Sequence, residues 1–218
     1  MERYCIFNDK NTWTDWRMVL TSKDITPPEP KTNYVTLDGM SGSLDLSDAL
    51  TGEITYQDRK ITLSFWCCEG TRADRENLIR EITAYLHGKK VKIIEPDSPN
   101  HYFFGRGKIT ARANNVAYAE ISVEFTCEPW KYANDEITRT MWLNSDNITD
   151  MIVRNNGVRT LSPIISVTGD VEIVHNGETY TLTNGHYKIP SIKLVQGVNT
   201  LGVSGNGSVS ISYREAEL

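Results

Sequence analysis

Apolar and polar residues alternate most clearly in AEISVEFTCE, where Ala119, Ile121, Val123, Phe125 and Cys127 interleave with Glu120, Ser122, Glu124, Thr126 and Glu128. A period of two with one apolar face predicts a half-buried antiparallel strand. KITLSFWCC repeats the pattern with Ile61, Leu63, Phe65 and Cys67 on one side. Trp66 and Cys68 fall on the other side, which predicts that the second face is covered too. Between these strands the period changes to that of a helix. In TRADRENLIREITAYLHG, Leu78, Ile79, Ile82, Tyr85 and Leu86 form one apolar stripe, while Arg75, Glu76, Arg80 and Glu81 are expected to face water. Thr71 with Asp74 three residues on reads as a capping box, and Gly88 as the left-handed stop, with Lys89 and Lys90 at the negative end. A strand VKIIE, a turn PDSPN and a strand from His101 to about Arg112 follow.

After CEPWKY the texture changes. No helical period survives beyond Ile137, and turn signals recur. Asn176-Gly177 inside EIVHNGETYTL is the strongest short hairpin signal, and Gly205-Asn206-Gly207 reads as a second hairpin. Short strands at even spacing predict a β-sandwich or jelly roll. Pro129 interrupts the pattern near the junction, so two domains are expected, residues 1–132 and 133–218. The Pro27, Pro28 and Pro30 stretch predicts an extended segment ahead of a strand at Tyr34. It reads as a stiff connector, with a docking peptide as the alternative.

Charge narrows the function classes. Residues 1–130 hold 16 Lys and Arg against 19 Asp and Glu, and residues 131–218 hold 7 against 9, within a net charge of −5 over 218 residues. That even balance gives no basic footprint for nucleic acid. No apolar run approaches the roughly 20 residues of a membrane helix. The start MERYCIFNDKNTW lacks the layout of a secretory signal, so folding in the cytoplasm is expected. Cys67 and Cys68, adjacent on a strand, point to opposite faces and do not chelate one metal together. With Cys5 and Cys127 they read as buried free thiols; a Cys5–Cys127 bridge is the alternative, disfavoured in a reducing compartment.

Candidate chemistry centres on LDGMSGSLDLSDAL, with Asp38, Asp45 and Asp48. Counted from Asp38, the third, fifth and twelfth positions of a calcium loop are Met40, Gly42 and Ala49, which supply no ligand set. The same aspartates sit among turn residues, where solvated carboxylates are ordinary. His87, His101, His175 and His186 are scattered. No nucleophile elbow, P-loop or dinucleotide fingerprint is present, and the lone Gly105-Arg106-Gly107-Lys108 reads as a strand irregularity. No catalytic residue, cofactor or metal site is therefore assigned. Trp13, Trp16, Trp66, Trp130 and Trp142 are the aromatic candidates for sugar stacking.

The stretch DITPPEPKTNYVTLDGMSGSLDLSDALTGEITYQDRKITLSF resembles the start of the distal tail protein (Dit) family of siphophages. The resemblance rests on Pro30-Lys31, on Gly39, Gly42, Asp45 and Leu46 in a Gly-x-x-Gly-x-x-Asp-Leu turn, and on Leu50-Thr51-Gly52, Tyr56 and Arg59. FTCEPW and the C-terminal QGVNTLGVSGNGSVSISYRE are similar too. It implies a mainly β protein: an N-terminal ring-forming β-sandwich with one helix and a protruding hairpin, and a C-terminal galectin-like β-sandwich of jelly-roll type. It further implies a structural virion protein without catalysis, a homo-hexameric ring at the distal tip of a long non-contractile tail. The ring would join the tail-tube protein to the tail hub or fibre protein and the adsorption apparatus, and would be assembled in the host bacterial cytoplasm. DNA would pass its lumen without specific binding, and no membrane insertion is expected. Receptor-binding proteins are further partners in such tails, but the C-terminal half is short, without room for long gripping arms. A hairpin at residues 44–64 is the expected contact element, by strand addition, with Leu44, Leu46, Ile54, Tyr56 and Arg59 as the candidate ring interface. The alternative function is a carbohydrate-binding module for host cell walls. Trp142 is the one Trp of residues 133–218, but the His-Asn-Arg set of galectins is not found there.

Overall fold

The computed structural model describes residues 4–218; Met1–Arg3, part of the start read above for a signal, lie outside the described residues. The chain is mainly β and divides into two compact units, the first running to Lys131 and including Leu218, the second Tyr132–Glu217.

In the first unit the strands are β1 (Ile6–Phe7), β2 (Lys10–Asn11), β3 (Val19–Ile25), β4 (Tyr34–Val35), β5 (Leu44–Asp45), β6 (Arg59–Cys67), then helix α1 (Arg72–Leu86), β7 (Lys90–Ile94), β8 (His101–Asn114) and β9 (Ala119–Cys127). One antiparallel sheet runs β2-β1-β7-β8-β9-β6-β3, while among the described residues β4 and β5 pair only with each other. The alternation read from the sequence is what places the core: Ile61, Leu63, Phe65 and Cys67 of β6 and Ile121, Val123, Phe125 and Cys127 of β9 all point inward. The other face is not covered as expected. Trp66 is exposed and leans on Tyr118 with ring centroids 5.0 Å apart, and Cys68 is exposed beside it.

Helix α1 begins with the expected reciprocal cap, the Thr71 hydroxyl accepting from Asp74 N–H and the Asp74 carboxylate accepting from Thr71 N–H. Ile79, Ile82 and Leu86 bury its apolar stripe, each side chain a gross gain of about 1.5–3 kcal/mol before entropy is charged against it. Two polar anchors fix the helix's height. Tyr85 donates to Phe7 O and to the Asp9 carboxylate, and Trp16 donates to Glu81 at 3.0 Å.

Arg75 corrects the sequence reading: it does not face water but is buried. Its guanidinium donates to Gly70 O at 2.8 Å and to Asn115 O and Val116 O at 3.0 and 2.9 Å. The cause is the β8–β9 turn, which lies over the helix start and presents the Asn115 and Val116 carbonyls to the guanidinium.

Gly105 and Gly107 are not an irregularity of β8. A Cβ on Gly105 would lie 2.4 Å from Cys127 Sγ, and one on Gly107 2.8 Å from Leu86 O, so both glycines permit close approach. The real bulge falls between Ile109 and Ala111.

Strand β10 (Lys131–Ala133) stands at the junction. The second unit holds β11 (Ile137–Asn155), β12 (Ile164–His175), β13 (Glu178–Leu182), β14 (Gly185–Tyr187), β15 (Gly197–Tyr213) and β16 (Ala216–Glu217). Its sheet runs β11-β15-β12-β13, with β14 also on β12, all antiparallel. Asn176-Gly177 makes the expected hairpin turn between β12 and β13. Gly205-Asn206-Gly207, by contrast, is no hairpin but the middle of β15.

There φ is +119° at Gly205 and +145° at Gly207, opposite Gly169 at +87° on β12. A Cβ would meet Asp170 O at 2.2 Å, Thr168 O at 1.9 Å and Asn206 O at 2.1 Å respectively. Only glycine allows this crossing. Residues on both sides of it, Leu201 and Val203 with Val209 and Ile211, join one core, so the long strands bend there to enclose it.

All four cysteines are free, which sets aside the Cys5–Cys127 bridge; Cys5, Cys67 and Cys127 are buried. Burial, first of all, pushes the Cys5 and Cys127 thiols up to about 12. In native protein a thiol reagent is expected to label Cys68 quickly and the other three only on unfolding; fast labelling of a second thiol contradicts the packing. Unfolded thiols ionise near 8.5, so the stability held by these two is full below that pH and is lost as pH rises toward 12. Arg75→Ala should lower unfolding free energy by about 2–3 kcal/mol in urea titration, because three carbonyls lose a charged donor.

Candidate interaction site

The chain between β3 and β6 leaves the main sheet as an arm. Its root is closed by short backbone contacts: Lys31 N–H donates to Thr55 O, Gln57 N–H to Glu29 O, and Pro30 bridges Tyr56. The proline run therefore serves as a connector pinned along residues 55–57. Beyond the root, Tyr34–Val35 pairs with Leu44–Asp45 around a turn in which Gly39 and Gly42 take φ of +83° and +86°. The hairpin is thus at 34–45, not 44–64. Leu44–Asp45 folds back on Tyr34–Val35, while β6 is claimed on both sides by β3 and β9. Ser47 holds the corner, its Oγ accepting from Asn33 N–H and its N–H donating to Asp45. The Ser47 hydroxyl, and after it the Ser47 N–H, donates to the Asp45 carboxylate and holds it below the usual carboxylate range.

The arm's apolar side chains have no core to enter. Tyr34, Leu37, Met40, Leu44, Leu50 and Ile54 are exposed, Leu50 completely. Of the residues proposed from sequence, Leu44 and Ile54 lie on this surface, and Leu46 is half-buried. Tyr56 is half-buried edge-on against Trp130 at 5.6 Å. Arg59 stands apart. It is 4% exposed at the start of β6, its guanidinium 5.1 Å from the Phe103 ring centroid. Burial pushes its pKa down, and its Nε and Nη2 have no hydrogen-bond partner among the described residues. It lies where the arm rejoins β6, with its side chain turned into the first unit.

Asp38, Asp45 and Asp48 do not converge on a site, and among the described residues no three His, Cys, Asp or Glu side chains gather to hold a metal. No described helix is long and apolar enough to cross a membrane.

Trp142 lies on the outer face of the second unit's sheet and is 81% exposed. It pairs across the ladder with Ser208, on a face lined with hydroxyls: Thr138 bonds Ser212 at 2.9 Å, Thr140 bonds Ser210 at 2.8 Å, and Ser166 bonds His186 at 2.8 Å. Trp13 and Trp130 are half-buried and Trp16 is buried.

A feature that the even charge count concealed is basic. Lys90 and Lys92 of β7 and Arg106 and Lys108 of β8 share the outward face of adjacent strands. Strand pairing brings together cations that lie some 15 residues apart in sequence. Only the period-two pattern of both strands, read with their pairing, could have found them.

A sequence search of curated proteins finds no match. Among solved structures, the crystal structure of the Dit protein of phage SPP1 superposes with a TM-score of 0.72 at 16% identity, covering 100% of both chains. That protein is described as a paradigm of the hub adsorption apparatus in phages that infect Gram-positive bacteria. The likeness extends to the whole chain and fixes its fold. The family described as the phage tail protein RIFT-related domain matches residues 14–127, which take in the arm, α1 and the strands around them. The chain belongs to this family of siphophage tail proteins.

Proposed function

We propose that this phage tail protein is a distal tail protein that forms a homo-hexameric ring at the tail tip, between the tail-tube protein and the tail hub or fibre protein. The observation that carries this reading is the family match over residues 14–127, joined by a full-length fold likeness to a hub protein. In this reading the first unit builds the ring and DNA passes its lumen without specific contacts. The second unit, galectin-like, faces outward toward the adsorption apparatus and any receptor-binding proteins. Subunits assemble in the host cytoplasm and end in the virion tail. The role is structural, with no catalytic step assigned. Leu44, Leu46, Ile54 and Tyr56 of the arm belong to the ring contact, and Arg59 holds the root of the arm that carries them. Light scattering on size-separated protein should give a species six times the 24.7 kDa protomer, with a ring visible by electron microscopy. Strictly monomeric protein at high concentration would falsify the reading.

Exposed Trp142 on its hydroxyl-lined face supports a second reading, a carbohydrate-binding role for the outer unit. An indole face stacks on a sugar ring while neighbouring hydroxyls take its polar edge. Host cell-wall pulldown should then fall at least tenfold in Trp142→Ala with the ring intact. Unchanged retention by the variant, or none by the native protein, removes this role.

A further inference from the structure

The arm and the β7–β8 face carry opposite charge. Residues 29–58 hold Glu29, Asp38, Asp45, Asp48, Glu53 and Asp58 against Lys31 alone, and all six carboxylates are exposed. On the other side, Lys90 and Arg106 stand directly opposite each other in the β7–β8 register, with Lys108 one step along and Lys89 just ahead. A like-charge pair facing across a ladder weakens the sheet in an isolated chain.

The local carboxylates do not relieve it. Glu95 and Asp97 are taken by Lys23, and Glu124, the cross-strand neighbour of Lys108, pairs with Lys60 at 3.7 Å. Among the described residues, no carboxylate lies within salt-bridge range of Lys89, Lys90, Arg106 or Lys108. The face also offers aromatic rings: Lys90 Nζ lies 5.5 Å from the Phe104 centroid and Lys92 Nζ 4.4 Å from that of Tyr102.

Strand order keeps the two surfaces apart. The arm leaves from β3 and β6 at one end of the sheet, and β9 separates β6 from the β8–β7 pair. Two different, mutually complementary patches on one chain make a head-to-tail contact, which closes into a ring when its rotation is right. A patch that met its own copy would need to be self-complementary, and neither of these is.

We infer that the acidic arm, residues 29–58, of one copy docks on the basic β7–β8 face of the next. The occupant of the basic face is a second copy of this chain, and the inference rests on the ring reading above. Charge sets the orientation and the encounter rate, while the exposed leucines of the arm against Tyr102 and Phe104 supply apolar burial.

The test uses the full chain in three forms: native, Lys90→Glu with Arg106→Glu, and Asp48→Lys with Glu53→Lys. Masses are read by light scattering at about 50 and 500 mM salt, and circular dichroism checks that each form is folded. The native ring should weaken at high salt, where screening shortens the reach of charges to a few ångströms. Each reversed form should lose the ring, with association at least tenfold weaker. An equal mixture of the two should regain it, since both contacts are then of opposite sign. Intact rings in both reversed forms would overturn the docking and leave the ring reading standing. A monomeric native protein counts against the ring reading itself, and the docking falls with it. Labelled duplex DNA retained by the native protein and lost from Lys90→Glu/Arg106→Glu, with the ring unchanged, would assign the face to nucleic acid and also overturn the docking.

Discussion

The first unit depends on the ladder in which β9 pairs with β6 on one side and β8 on the other. Every second residue of β6 and β9 enters the core, and the helix, the arm and the basic face are all placed relative to those strands. β9 supplies Phe125, which packs with Phe7 at 5.4 Å, and Cys127, whose sulfur fills the space that Gly105 leaves open. A one-residue slip would turn Glu120, Ser122 and Glu124 inward and expose the whole apolar set. That penalty makes the register certain, and with it the root of the arm, because Arg59 faces Cys127 at the ladder's end. Free energy stored in the core is thus what allows the arm to be apolar and exposed at once.

The parts legible in the sequence were those governed by local period and chemistry. The strands of residues 59–67 and 119–127, the helix with its capping box, and the Asn176-Gly177 turn follow from short-range rules, and they lie where those rules put them. The parts that were not legible depend on who the neighbour is. Arg75 has the pattern of a solvent-facing helix residue, and only the overlying β8–β9 turn draws it inside. Gly205-Asn206-Gly207 has the composition of a turn but lies mid-strand, because two further strands pair with it on either side. Glycine and aspartate order marks the arm, but the strand that pairs with Leu44–Asp45 lies ten residues upstream, where no local rule places it.

The family and fold relations agree on different grounds. The family match covers the first unit, where the arm and α1 lie. The structural likeness spans both units at an identity too low for sequence alone to carry it.

Glycine is commonly taken as a sign of suppleness, yet the crossing of Gly169, Gly205 and Gly207 acts in the opposite sense. Each lies with a carbonyl oxygen where its side chain would begin, so the main chain of β12 is clamped against the main chain of β15. The freedom that glycine has in an open loop is spent on that contact. In mechanical terms the bend is a welded elbow: a load applied to one end of β15 is carried through the corner to the other end instead of being absorbed by it.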